Sequence, residues 1–178
     1  MKNESKKGLT IMKNEMEIVF DAVSANESLA RVAAAAFISP LNPTLEEISD
    51  IKTAVSEAVT NAIIHGYENY EGYEKSKNCC NRETPCNPGK VRIYCVQEGY
   101  TLHIEVSDTG KGIENIDRAM EPLFTSKPEL ERSGMGFSFM EAYVDELEVE
   151  SKPMQGTTVR LTKKINTRSR NHRSEESH

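Results

Sequence analysis

The chain has 178 residues, a formal net charge of -6, a pI near 5.4, 37% hydrophobic residues and no tryptophan. That length holds one domain with a sizeable core and leaves little room for two, and the acidic balance argues against a nucleic-acid binder, which needs a basic face. No apolar run reaches the roughly eighteen residues of a membrane span. The N-terminal MKNESKKGLTIMKNE is charged and has no apolar centre, so no signal peptide is expected and the cytosol is the default.

Residues 1–14 are polar and Lys-rich and read as a flexible leader, with Met12 and Met16 each able to serve as a second start. From Met16 to Val23 the pattern alternates, Met16, Ile18, Phe20 and Ala22 against Glu17, Val19 and Asp21, which predicts a half-buried strand. Ser24 with Glu27 has the spacing of a capping box, and Leu29, Val32, Ala33, Ala36 and Phe37 trace the apolar stripe of the helix it would start. Pro40 and Pro43 end that helix. Thr44 and Glu47 make a second capping box, opening a helix whose buried stripe is Ile48, Ile51, Val55, Ala58 or Val59, and Ala62, with Gly66 as its stop.

The polar, turn-rich run from Tyr67 to Lys90 breaks the pattern and reads as a surface insertion, centred on about 70–90. Three of the four cysteines, Cys79, Cys80 and Cys86, lie in it, and Cys95 falls in the next strand; no CxxC pairs form, so free thiols are expected. Val91, Ile93 and Cys95, the turn QEGY, then Leu102, Ile104 and Val106 predict a hairpin. Residues 114–133 carry no strand signal and read as a mobile loop, with a helical turn in IDRAMEPLF stopped by Pro122. Phe137, Met140, Tyr143 and Val144 predict a helix, Leu147 and Val149 a strand, and Thr158 to Leu161 its return partner. The domain is expected over 15–165, with a disordered polar tail at 166–178.

Four short segments carry chemistry. Glu57 and Asn61 stand four residues apart on one helical face. The amide oxygen of Asn61 suits a hard cation such as magnesium, and the carboxylate of Glu57 suits orienting or deprotonating a nucleophile. Asp108, Gly110 and Gly112 end a strand, where the glycines permit a sharp turn and close approach, and the Asp offers an acceptor for an exocyclic amine. Ser133, Gly134, Met135 and Gly136 open a helix whose bare N–H groups suit an anion. Lys127 and Arg132, just upstream, are placed to reach phosphate oxygens if the loop folds over them. Thr157, in Gly156-Thr157-Thr158, adds a hydroxyl for a base or a bound water. Each segment alone is compatible with ordinary turns and a solvated helix face; their order is what is specific. His65 and His103 read as ordinary polar residues.

That order, ExxxN helix, strand-DxGxG, polar lid, GMG helix and GT strand, resembles the GHKL ATPase superfamily. The resemblance implies a Bergerat-type α/β sandwich, a mixed, mostly antiparallel sheet with helices on one face. It implies ATP or ADP with Mg2+, with Glu57 as the catalytic carboxylate and Asn61 as the metal ligand. Asp108 would meet the adenine amino group, and the amides around Gly134 and Gly136 would hold phosphates, with Arg132 stabilising the transferred group. The stretches NESLARVAAAAF, EAVTNAIIHGY, MEPLFTSKPELERSGMGFSFME and GTTVRL further resemble the anti-sigma F factors of endospore-forming bacteria, over about residues 13–165. That family implies a homodimer that binds and inhibits sigma factor F and, as a serine kinase, phosphorylates an anti-anti-sigma factor; Arg31 falls at its partner-contacting position. The cysteine-bearing stretch 72–90 is longer than the family pattern. Only about a dozen polar residues precede the first strand, so no upstream phosphoacceptor-histidine helices are expected and phosphotransfer in trans fits better than autokinase chemistry. The alternative is a nucleotide-gated partner-binding module with little or no kinase activity.

Overall fold

In the computed structural model, residues 13–67, 89–121 and 136–166 are described. The elements follow in the order β1 (Lys13–Asp21), α1 (Ala25–Ile38), a 3-10 turn (Ser39–Leu41), α2 (Leu45–Asn61) continued by a π-helical turn (Ala62–Gly66), β2 (Lys90–Glu98), β3 (Thr101–Asp108), a short α3 (Ile116–Ala119), α4 (Gly136–Tyr143), β4 (Glu146–Lys152) and β5 (Gly156–Lys164). The strands form one five-stranded sheet ordered β1-β2-β3-β5-β4, and each pairing is antiparallel. The expected mixture of pairings is thus an all-antiparallel sheet among the described residues. Lys13 and Asn14 of the expected leader belong to β1, and Asn166 of the expected tail is held by Glu47; residues 1–12 and 167–178, Cys79, Cys80, Cys86 and most of the expected insertion and lid lie outside the described residues. Among the helices described, none is long and apolar enough to cross a membrane.

The alternation read from sequence is the sheet's packing pattern. Val91, Ile93 and Cys95 on β2, and Leu102, Ile104 and Val106 on β3, are buried in the main core. Their neighbours of opposite parity face outward, where Glu17, Arg92, Glu105, Arg160 and Glu150 run as alternating charges across the strands. These pairs are part-exposed, so each contributes little to stability, about 0–1 kcal/mol. The sheet's inner face carries the helices, and its two-residue turn at Gly99–Tyr100 has Gly99 at φ 61°.

Helix α1 turns a different face inward from the one its large residues predict. Ala30, Ala34 and Ile38 are buried, while Leu29 and Val32 are 50% and 57% exposed and Ala36 is exposed. The small side chains allow the helix to lie close against its neighbours, which a stripe of Leu and Val would prevent. The expected capping box at its start is also absent. Ser24 sits at φ -56°, ψ -28°, already helical, and makes no side-chain cap bond; an N-cap hydroxyl reaches the helix amides from an extended backbone. Glu27 instead accepts from Arg31 and from Ser56 of α2.

The second box forms as expected. Thr44, extended at ψ 164°, accepts from the Glu47 N–H at 3.1 Å, and Glu47 accepts from the Thr44 N–H at 2.7 Å. Glu47 is nonetheless buried, because its other oxygen accepts the Asn166 N–H at 2.7 Å and fastens α2 to the chain leaving β5. One helical turn further on, Asp50 receives the Lys163 ammonium at 3.0 Å. That ammonium also donates to the Tyr143 carbonyl at the end of α4 at 2.8 Å. Ile51, Ala54, Val55, Ala58 and Val59 are buried along the inner face of α2, which makes this helix the floor of the site.

Candidate nucleotide site

A cavity of about 570 Å³ opens between the C-terminal half of α2, the ends of β3 and β5, and the start of α4. Ala58, Asn61 and His65 form its helical wall, and Val106, Asp108 and Thr157 its sheet wall. The first three lie at i, i+3 and i+7, so an amphipathic helix presents them together.

Of the residues named from sequence, Asn61, Asp108, Gly112, Gly136 and Thr157 line this cavity and Glu57 adjoins it. At one end, Gly136 of α4 faces the α2 pair: a methyl group added there would lie 3.3 Å from Glu57 Oε2 and 3.3 Å from both Asn61 Oδ1 and Nδ2. Glu57, which does not line the cavity, reaches the site through that point. At the other end, Asp108 is buried, with Oδ1 accepting the Gly110 N–H at 2.8 Å. Burial pushes its carboxyl up to about 6, against the opposing pull of the Gly110 and Thr157 backbone N–H groups. A buried carboxyl with a shifted pKa on a cavity wall makes Asp108 a candidate binding group.

The expected glycine turn does more than approach a ligand. A methyl at Gly110 would lie 2.1 Å from the Gly66 carbonyl oxygen, and Gly112, at φ 70°, is equally close to the Lys152 carbonyl. The Lys111 N–H donates to Gly66 O at 2.9 Å, and Lys111 O accepts the Met154 N–H at 2.7 Å. The DTGKG turn is therefore interlocked with the end of α2 on one side and the β4–β5 turn on the other. Gly112 lines the cavity; Gly110 faces Gly66. Gly66 is not a left-handed stop. The chain passes it through the π turn, and its missing side chain leaves room for the Asp108 carboxylate, 2.9 Å from where a Cβ would sit.

Lys127, Arg132, Ser133, Gly134 and Met135 lie outside the described residues. Arg31 stands on α1 with its side chain 41% exposed, paired to Glu27 at 3.2 Å, and does not line the cavity. Sequence reasoning missed several contributors. His65, Lys111 and Arg118 line the cavity. Ser151 accepts the Ile113 N–H at 2.8 Å, donates to Gly156 O at 2.9 Å and stands 2.9 Å from the Thr157 hydroxyl; nothing in its local sequence signals that role. Tyr67, read as the first residue of a surface insertion, is buried. Cys95 is buried too, its thiol pushed up to about 12 by burial, as an inert core residue. Among the described residues no cluster of three or more His, Cys, Asp or Glu side chains could hold a metal by itself.

Residues 20–163 match the family described as the histidine kinase-like ATPase domain. The chain is 53% identical over 154 residues to the anti-sigma F factor of Anoxybacillus flavithermus, covering 86% of this chain and 94% of that protein. It is 50% identical to the Bacillus subtilis anti-sigma F factor over the same shares. To that of Clostridium acetobutylicum it is 53% identical over 155 residues, 87% of this chain and 96% of the relative. A crystal structure of the RsbU and RsbW domains of a Mycobacterium tuberculosis protein shares the fold, with a TM-score of 0.56 at 21% identity. That match covers 85% of this chain and 32% of the longer one.

Proposed function

Because the chain belongs to the anti-sigma F factors, within the histidine kinase-like ATPases, we propose that it binds and inhibits the sporulation sigma factor F in a nucleotide-dependent way. On the same reading it inactivates an anti-anti-sigma factor by phosphorylating a serine with ATP. The observation that carries the catalytic half is the meeting of Glu57, Asn61 and Gly136 at one end of the cavity, opposite Asp108.

The division of labour follows from the side chains. Asp108, as a carboxylate, accepts from the exocyclic amine of adenine, a charge-assisted bond stronger than a neutral one. Magnesium takes one or two protein oxygens and completes its shell with water and phosphate. Asn61 Oδ1 is the oxygen that would hold it, and the bound ion would neutralise phosphate charge and orient the γ-phosphoryl group. Glu57 accepts the proton of the incoming serine hydroxyl as its oxygen bonds to the γ-phosphorus and the bond from that phosphorus to the ADP oxygen breaks. Arg132 and the amides near Gly134 and Gly136 stabilise charge on the transferred group. Arg31, which does not line the cavity, is assigned to the partner-facing side of the molecule. The protein acts in the cytoplasm as a homodimer, so it should sediment at about twice its 19.9 kDa chain mass.

Radiolabelled ATP with the anti-anti-sigma factor tests the assignment. Phosphoserine should appear with the parent, and Glu57→Ala should cut phosphotransfer by about 10²–10⁴ while nucleotide affinity stays within a few-fold. Sigma-factor binding in ATP should survive that substitution. Normal phosphotransfer by Glu57→Ala would remove Glu57 as the base. ATP-dependent sigma binding with no phosphoserine from the parent would leave a nucleotide-gated binding module.

A further inference from the structure

The hydroxyl of Tyr67 holds several hydrogen bonds beside the cavity, and no step above requires it. Tyr67 follows the π turn directly and is 3% exposed. Its O–H donates to the Lys90 carbonyl at 2.5 Å. The oxygen accepts the Thr109 N–H at 2.9 Å and the Lys90 N–H at 3.2 Å, with the Thr109 hydroxyl also 3.2 Å away. A phenol has one donor and two acceptor sites, so its capacity is fully used. The ring is seated as firmly: a methyl on Gly89, which sits at φ 77°, would fall 2.4 Å from Tyr67 Cε1.

Three segments meet at this oxygen: the end of the helix that carries Glu57 and Asn61, the first residue of β2, and Thr109, the residue after Asp108. The Asp108 carboxylate lies in the notch left by Gly66, the residue before Tyr67. Gly66 O and the Tyr67 hydroxyl therefore hold consecutive parts of one turn, at Lys111 N and Thr109 N. The π turn is what brings both to that edge, since its wider winding alters where the last residues of the helix point. Tyr67 does not line the cavity.

We propose that Tyr67 is a positioning residue for base recognition: its hydroxyl fixes the Asp108–Gly110 turn through the Thr109 N–H and so sets how sharply the site separates adenine from a base lacking the 6-amino group. This rests on the reading of Asp108 as the base-binding carboxylate. The experiment measures, on the full chain, the affinities of ATP and of inosine triphosphate, which carries a carbonyl where adenine carries its amine. Tyr67→Phe should lower ATP affinity about three- to tenfold and inosine triphosphate affinity by less than about twofold, because the hydroxyl's bonds to Thr109 and Lys90, which hold the turn beside Asp108, are lost while the phosphate end is untouched. Thr109→Val, which keeps the N–H, should retain the parent's ratio. In the parent, the Thr109 amide should be protected from exchange without nucleotide although Thr109 is an exposed residue; this measurement stands even if Tyr67→Phe does not fold. An equal loss for both nucleotides, an unchanged ratio, or fast Thr109 exchange in the parent would overturn the proposal. If instead the parent and Asp108→Asn show the same ratio, the base-recognition reading of Asp108 itself fails.

Discussion

Asp108 is held under two opposed demands. On the proposed reading the site needs a carboxylate there to meet the base, and the fold surrounds it so closely that ionisation is penalised. Its folded pKa rises from 3.8 to about 6, so between these values the native state binds more protons than the unfolded chain. The stability contributed by the neutral form is full below roughly pH 4 and is lost as pH rises through about 6, a swing of about 3 kcal/mol. Asp108→Asn removes that dependence. Denaturant unfolding from pH 4 to 7 should show the variant gaining on the parent by up to that amount, then levelling. ATP affinity at pH 7 should fall about ten- to a hundredfold in the same variant, since a charged acceptor becomes a neutral one. An unchanged affinity in a calorimetric titration would contradict the role given to the charge. Asn61 is expected to fail differently from its neighbour Glu57: if Asn61 holds the nucleotide's metal as proposed, Asn61→Ala should weaken magnesium-ATP binding and phosphotransfer together.

At the scale of elements, α2 is anchored at both ends, and the two anchors serve different purposes. Its N-terminal box is a stability device. Thr44→Ala should cost about 1 kcal/mol in thermal or denaturant unfolding and leave nucleotide affinity unchanged. Its C-terminal π turn serves the site. Gly66 has no positive φ, so alanine is conformationally acceptable there and would even favour the helix. Its methyl group would nevertheless lie 2.9 Å from Asp108 Oδ1. Gly66→Ala should therefore weaken ATP binding about tenfold or more with little loss of melting temperature; parent-like affinity would show that the carboxylate can shift without harm. The Lys163 ammonium joins α2, α4 and β5 at a point where its own side chain is only 17% exposed. Lys163→Met would remove the Asp50 pair and the bond to the Tyr143 carbonyl and should destabilise by about 1–3 kcal/mol by denaturant unfolding.

Across the whole molecule, a sheet with one polar face and one helix-covered face leaves the cavity at the single place where α2, α4 and the ends of β3 and β5 come together among the described residues. The thickness of that layer depends on small residues. Ala34 is 1% exposed between α1 and its neighbours, and Val32 is 57% exposed on the opposite side of the same helix. Ala34→Leu should destabilise by about 1–3 kcal/mol through overpacking, and Val32→Ser should stay within about 0.5 kcal/mol. Comparing unfolding midpoints of the two variants tests the assignment of faces, and the reverse ranking would refute it.

The order of elements, the hairpin, the Thr44 box and the four-residue spacing of Glu57 and Asn61 on one helix were legible in the sequence. Each rests on a period or a spacing that is local: alternation for β2 and β3, 3.6-residue recurrence for Ile51, Val55 and Ala58, four residues between Glu57 and Asn61. Two things were not legible. Which face of α1 is buried depends on how closely the helix approaches its neighbours, and hydrophobicity alone pointed to Leu29 and Val32. Why Gly66, Gly110 and Gly112 are glycines depends on carbonyls and a carboxylate that arrive from 40 or more residues away. Local pattern records what a residue offers its own element; the space it must leave for a distant one is set only when the sheet and helices close together, and that closure also turned Tyr67 from an apparent loop residue into the link between α2 and the Asp108 turn.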